Sequence, residues 1–418
     1  MKITAEKRNL MECHECGTVH QLLPFLAQGA VCCSTCQHRL DHYKSGWLSK
    51  SMAFTLTGLI LFVLSNVFPF MALELGAFKQ QTTLLSGVGL LLENHQYPLA
   101  LLVFGTIFLF PLLELSCLAY VLIPLAIKVR MPGYRRALVW LLKVSKWNMM
   151  EVFLLAVLVS AVKLQDMADI VPGVALFTYF ALVLILLLAK SQLNHRQLWD
   201  YYDQHDCFPG QDNEVLIGCS HCQALVAQSV VDAGSSCPRC HQPVAHRTHR
   251  SLQKTAALLL AAVVLYIPAN TLPIMITTTL GQTQSDTIIS GVLYLLHGDT
   301  WPLAVIVFVA SVLVPISKIS ILAYLWWSVF RQSTRNPMQR IKLYRLTELV
   351  GHWSMVDVYV VILMVALVQF GIVANVEAGK AAFAFGGVVV LTMLSAASFD
   401  PRLIWDAVDE RGQDSNSG

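Results

Sequence analysis

Cys13-His-Glu-Cys16 and Cys33-Ser-Thr-Cys36 return later in the chain as Cys219-Ser-His-Cys222 and Cys237-Pro-Arg-Cys240, and the residues between the two sets decide the fold. Working outward, Asn66, Pro69, Met71, Ser86, Gly87, Pro98 and Pro111 recur 204 residues on as Asn270, Pro273, Met275, Ser290, Gly291, Pro302 and Pro315. At a spacing of 206, Trp147, Met149, Glu151, Arg196, Trp199 and Asp200 recur as Trp353, Met355, Asp357, Arg402, Trp405 and Asp406. The chain is therefore two tandem copies of one unit, a pair of Cys-x-x-Cys knuckles followed by a long apolar region. Proteins that handle a substrate inside a bilayer are commonly duplicated in this way.

Composition agrees with a membrane protein. Of 418 residues 56% are hydrophobic and 13% charged, against about 25% charged in soluble domains. Apolar stretches long enough to cross about 30 Å of hydrocarbon fall at 52–72, 98–127, 148–167 and 172–190, then at 254–276, 302–328, 354–374 and 381–399. The expected fold is an all-α polytopic membrane protein of eight helices in two four-helix repeats. The expected domains are a first ribbon at 1–50, a first transmembrane repeat at 51–205, a second ribbon at 206–250, a second repeat at 251–406 and a disordered tail at 407–418. Residues 134–147 read as an amphipathic interfacial helix leading into the third span. The segments opened by Ser86-Gly87 and Ser290-Gly291 are apolar but too short to span.

The basic residues set an orientation. With both termini and both cysteine modules on one side, only Lys79, Lys163 and Lys380 of the 29 Lys and Arg lie in loops on the other, and Lys318 falls inside a span. The positive-inside rule puts the cysteine modules and both termini in the cytoplasm. The polar, cysteine-rich first 50 residues have no signal-peptide pattern.

Two knuckles 16 residues apart in one module and 14 in the other are the frame of a zinc ribbon, four thiolates closing a tetrahedral site. A reducing compartment favours metal over disulfide there. Two structural zinc sites are expected, at Cys13, Cys16, Cys33 and Cys36 and at Cys219, Cys222, Cys237 and Cys240. A closed four-thiolate site leaves no position for catalysis. Cys32 abuts a ligand, Cys117 reads as a core residue, and His14, His20, His38, His221 and His241 as neighbours of the sites. The ribbons have no dense basic and aromatic surface for nucleic acid.

Charges inside the spans point to function, because such residues pair or line wet cavities. Glu114 and its repeat equivalent Lys318 carry opposite signs, and Glu151 and Asp357 match one another. A Lys318–Asp357 pair is expected, either as a proton relay or as a static pin between helices. Asn66 with Pro69 and Asn270 with Pro273 close the first span of each repeat, shaping a cavity or simply stopping a helix. Pro111 and Pro315, one turn before the Glu114 and Lys318 positions, are expected to kink their spans and open room. No P-loop, Gly-x-Ser-x-Gly or His-Glu-x-x-His occurs, so nothing in the sequence demands an enzyme.

Together the paired four-cysteine ribbons, each ahead of four spans, and the Asn-x-x-Pro, Ser-Gly, Trp-x-Met-x-Asp/Glu and Arg-x-x-Trp-Asp elements resemble the paraquat-inducible protein A family over about residues 1–406. The resemblance implies an inner-membrane protein that works with a periplasmic MCE-domain partner, itself a homo-oligomer, to move phospholipid between membranes. Two other readings stand beside it: a non-transporting anchor for that partner, and a zinc or redox sensor.

Overall fold

The first span, Trp47–Val67, stays helical for 21 residues and stops where Phe68 turns extended ahead of Pro69. At 1.5 Å per residue it is about 31 Å long, enough to cross the hydrocarbon layer. The computed structural model describes residues 10–21, 29–44, 46–75, 78–129, 131–164, 169–193, 195–202, 215–234, 236–279, 282–297, 301–368 and 374–408. The proposed tail lies almost wholly outside the described residues.

The first half opens with two hairpins, β1 (Leu10–Glu12) with β2 (Val19–Gln21) and β3 (Gly29–Cys32) with β4 (Arg39–Tyr43). There follow α1 (Trp47–Val67), the hairpin of β5 (Met71–Leu75) and β6 (Phe78–Thr82), the short α2 (Ser86–Glu93) and the long α3 (Tyr97–Ala126). Next come α4 (Tyr134–Ser145), α5 (Met150–Leu164), β7 (Asp169–Pro172), α6 (Val174–Gln192) and α7 (His195–Tyr202). Strand β7 returns to β5, giving an antiparallel sheet of order β6-β5-β7 at the end of α1 away from the ribbon.

The second half repeats the plan. Its ribbon contains β8 (Leu216–Gly218) and β9 (Leu225–Ala227) and leads into α8 (Ser251–Thr271), β10 (Met275–Thr279), β11 (Gln282–Asp286) and α9 (Ile288–His297). Helix α10 begins as Trp301–Phe308, passes through a π turn at Val309–Leu313 and continues as Val314–Phe330. Then come α11 (Pro337–Val350), a 3-10 turn at Gly351–Met355, α12 (Val356–Leu367), β12 (Ala374–Ala378) and α13 (Lys380–Ser398). The second sheet has order β11-β10-β12, the same topology as the first.

Among the described residues eight helical stretches are long and apolar enough to span a membrane, as the sequence predicts. Their ends differ from expectation in two places. The first span of each half stops at Val67 and at Thr271, because the residues after each Pro enter a sheet instead of extending the helix. The seventh crossing is not a helix over 354–374 but α11, the 3-10 turn and α12 in series. The amphipathic segment at 134–147 forms α4, a separate helix packed on α3.

Helix α1 packs along α6, and α8 along α13. The buried stripe of α1 holds Ser51, Thr55, Gly58 and Ser65, and that of α8 holds Ser251, Thr255, Ala262 and Ala269. Small residues let backbones approach closely where lipid removes the hydrophobic drive between helices. Across the halves, α12 packs against α5 and α2. One apolar core is thus shared, and the ring of Phe153 lies at its centre, 5.5 Å from Tyr179 and 5.6 Å from Tyr359.

Four-cysteine centres and matched buried charges

Each ribbon gathers four thiols. The Sγ atoms of Cys13 and Cys36, and of Cys16 and Cys33, are 3.5 Å apart. Those of Cys219 and Cys240, and of Cys222 and Cys237, are 3.6 Å apart. Thiolates set tetrahedrally about 2.3 Å from an ion would lie about 3.8 Å from one another, so both donor sets fit a closed metal site. The local fold explains the fit. After the second cysteine of each knuckle comes a left-handed residue: Gly17 (φ 78), Gln37 (φ 59), Gln223 (φ 59) and His241 (φ 56). Its N–H donates to the carbonyl of the first cysteine at 2.8, 3.0, 2.9 and 2.8 Å respectively. All eight thiols are buried, and no disulfide joins the described cysteines. Cys32 is exposed and outside its cluster. His20 Nε2 stands 3.1 Å from Cys33 Sγ, beside the ligands without displacing one.

The ribbons are docked crosswise. The first ribbon's cysteines pack with Leu325, Ile341, Phe399, Ile404 and Trp405 of the second half. The second ribbon's cysteines pack with Leu118, Leu122, Leu138, Leu198 and Trp199 of the first. Charged contacts follow the same crossing. Arg345 on α11 clasps the Glu15 carboxylate with Nε and Nη2, and Nη2 also donates to Cys36 O at 2.8 Å. Burial alone would raise the Glu15 pKa, but hydrogen bonds from His38 and Arg345 outweigh it and hold the group down to about 2. Between the ribbons, Glu12 accepts the Gly218 N–H and pairs with Arg402. The matched Arg402 and Asp406 thus find tasks in this layer, since Arg247 Nε donates to Asp406 Oδ2 at 3.0 Å.

Inside the spans the repeat carries two polar nodes of opposite sign. Glu114, 1% exposed, takes Lys190 Nζ at 3.1 Å and Asn148 Nδ2 at 2.5 Å. Lys318, also 1% exposed, donates to Gly351 O at 3.1 Å and Ser354 Oγ at 3.2 Å. Ser354 stands at the repeat position of Asn148, while Ala396 stands where the first half has Lys190. Both partners of Lys318 are therefore neutral. Asp357 lies in α12, but its side chain is outside the described residues, and so is the expected pairing with Lys318. Glu151 is exposed at the start of α5.

The prolines have matched surroundings too. Ahead of Pro111 and Pro315 the helix loosens into π turns at Gly105–Leu109 and Val309–Leu313. Such turns inside α-helices are frequent at functional sites. Asn66 and Asn270 donate back to Phe62 O at 2.7 Å and Tyr266 O at 2.9 Å, holding the last turn of their own helices. Pro69 O and Pro273 O accept the N–H groups of Ala175 and Ala381 at 3.2 and 3.1 Å, latching the start of α6 and of α13. A Cβ on Gly173 or on Gly379 would lie 2.1 Å from those same carbonyl oxygens. Sequence reasoning did not single out Lys190, Asn148, Gly173, Gly379 or Arg345.

The profile of the Paraquat-inducible protein A family matches residues 48–203 and again 252–409. The "Intermembrane transport protein PqiA" of Escherichia coli K12 is 33% identical over 412 residues, covering 95% of this chain and 96% of its own length. The "Lipophilic envelope-spanning tunnel protein A" of the same organism is 31% identical over 397 residues, 94% and 91% of the two chains. A "Probable intermembrane transport protein" of Haemophilus influenzae is 29% identical over 414 residues, 98% of each. No solved structure matches. With both matched segments falling on the two repeats and the relatives aligned nearly end to end, the chain belongs to the paraquat-inducible protein A family.

Proposed function

We propose that this chain is the inner-membrane subunit of an intermembrane lipid-transport system, passing phospholipid between the bilayer and a periplasmic MCE-domain partner. The names of its relatives support transport between membranes, and the family resemblance supplies the lipid and the partner. The observation that carries the reading is Lys318, an ammonium enclosed within an apolar span and held only by neutral acceptors among the described residues. A charge kept there is costly, and residues of this kind mark the paths of substrates and protons. In this reading Lys318 and Asp357 form the working pair, with Glu114 and Glu151 as further relay groups, and proton flow drives the transfer. The π turns before Pro111 and Pro315, and the turns at Asn66–Pro69 and Asn270–Pro273, shape the cavity.

Zinc is the ion proposed for both ribbons, since four soft thiolates in a closed tetrahedron suit it and leave no position for a substrate. The ribbons and both termini face the cytoplasm, where the basic residues gather.

One observation favours a second reading, a non-transporting anchor for the partner. Glu114 is fully paired by Lys190 and Asn148, as a structural pin would be. Photocrosslinking separates the two. Probes beside Lys318, in cells labelled with radioactive phospholipid and expressing the partner, should capture lipid above probes on the outer faces of the same helices. Equal capture at both places would favour the anchor.

A further inference from the structure

Arg340 is 1% exposed, yet no carboxylate pairs with it among the described residues. It lies in the first turns of α11, at the ribbon end of the bundle. Nη1 donates to Ser328 Oγ at 2.8 Å and Nη2 to Ser333 O at 2.7 Å, both neutral acceptors, and Nε has no acceptor. Enclosing a guanidinium without a counter-charge is expensive, so an anion bound nearby would stabilise it.

The turn around it adds more charge of the same sign. Arg331, Arg335 and Lys342 are exposed, and residues 328–344 contain no Asp or Glu. Beside them lie rings characteristic of the bilayer interface. Arg331 sits 4.7 Å over the ring of Trp327, and Trp326 stacks on Phe330 at 5.4 Å. Trp327 and Phe330 are 49% and 63% exposed. Basic groups at the chain turn and apolar rings just below them follow the polarity of a phospholipid, headgroup above acyl chain. The corresponding turn of the first half has Ile123, Pro124 and Ile127 in place of Trp327, Ser328 and Arg331.

We propose that the turn between α10 and α11 binds the phosphate headgroup of an anionic phospholipid. Arg331 and Arg335 meet the phosphate, Trp327 and Phe330 line the start of the acyl chains, and the bound charge neutralises the field of the buried Arg340. The site rests on the bilayer placement of the spans and is independent of Lys318 and of transport. Basic pockets at the ends of membrane helices recognise anionic headgroups in this way.

Native mass spectrometry of the full-length protein in neutral detergent tests it, with phosphatidylglycerol and phosphatidylcholine of identical acyl chains as probes. Phosphatidylglycerol should be preferred, and its affinity should fall about five-fold for each of Arg331→Gln and Arg335→Gln. Lys50→Gln and Lys254→Gln, exposed at the ribbon ends of α1 and α8, should leave it unchanged. Equal binding of the two lipids, or a preference that survives the double arginine variant, would overturn the proposal. Displacement of the bound lipid by millimolar inorganic phosphate would also overturn it, making this a soluble-anion site.

Discussion

Glu114 and Lys318 occupy the same place in the two halves and are equally enclosed, but only one of them meets an opposite charge among the described residues. In the first half Lys190 reaches Glu114 and Asn148 completes its shell. In the second, Ala396 replaces that lysine, and Lys318 leans on a carbonyl and a hydroxyl. Duplication gave both halves one scaffold; substitution at three positions closed one node and left the other with neutral partners. The same fold therefore holds a charge paired with its opposite on one side and, among the described residues, a charge met by neutral groups on the other.

The largest expected effect comes from the four-cysteine centres, and it tests how far the halves differ in dependence on their ribbons. Structural metal sites of this type contribute on the order of 10 kcal/mol. Replacing Cys219 and Cys222 by Ser should therefore abolish the second ribbon. Because that ribbon sits on the first half, hydrogen exchange should rise at the end of α3, in α4 and in α7 before it rises in α8. Loss confined to the second half would break the crosswise picture.

Next in size is the contrast between the two lysines. Lys190→Ala strands a buried carboxylate and should cost about 3 kcal/mol, seen as a lower thermal midpoint in detergent. Lys318→Met removes a buried cation whose partners among the described residues are neutral, and should lower the midpoint less than Lys190→Ala while stopping lipid transfer to the partner. If Lys318→Met destabilised as much as Lys190→Ala with transfer intact, both nodes would be pins.

Gly173→Ala and Gly379→Ala sharpen the comparison from the other direction, since here the halves are alike. A Cβ at 2.1 Å from the latch carbonyl forces the strand-to-helix junction apart, and each variant should lose about 2–3 kcal/mol. Unequal losses would mean that one latch bears more of the fold.

The smallest effect is pH-dependent. Glu15 is held down to about 2, below its ordinary 4.5, so its contribution is complete above about pH 4.5 and lost as the pH falls through 2. The stability difference between the wild type and Glu15→Gln should be about 2 kcal/mol at pH 7 and shrink towards zero in acid. A difference constant with pH would exclude the Arg345 clasp as its source.

Much of this was legible in the sequence, and what was not has physical reasons. The repeat, the eight spans and the two cysteine centres follow from local pattern, since periodicity and knuckle spacing need no knowledge of tertiary packing. The Gly173 and Gly379 match was also present at the 206-residue spacing, and its meaning needed the latch carbonyls. Lys190 was hidden because it breaks the repeat, and a residue whose counterpart is Ala396 leaves no echo. The three-stranded sheets escaped notice because five-residue strands after Pro69 and Pro273 continue an apolar run that reads as helix. The crossing of the ribbons is a tertiary choice that no local pattern encodes.

That crossing also sets an order of events. Residues 10–43 leave the ribosome first, but the surfaces that receive them, from Leu325 to Trp405, are made last. At about 5–20 residues per second the first ribbon waits tens of seconds for its seat, whereas the second emerges onto helices already synthesised. The amino-terminal ribbon is thus made well before its seat, and its docking is the step that ties the late-made helices to the early-made residues.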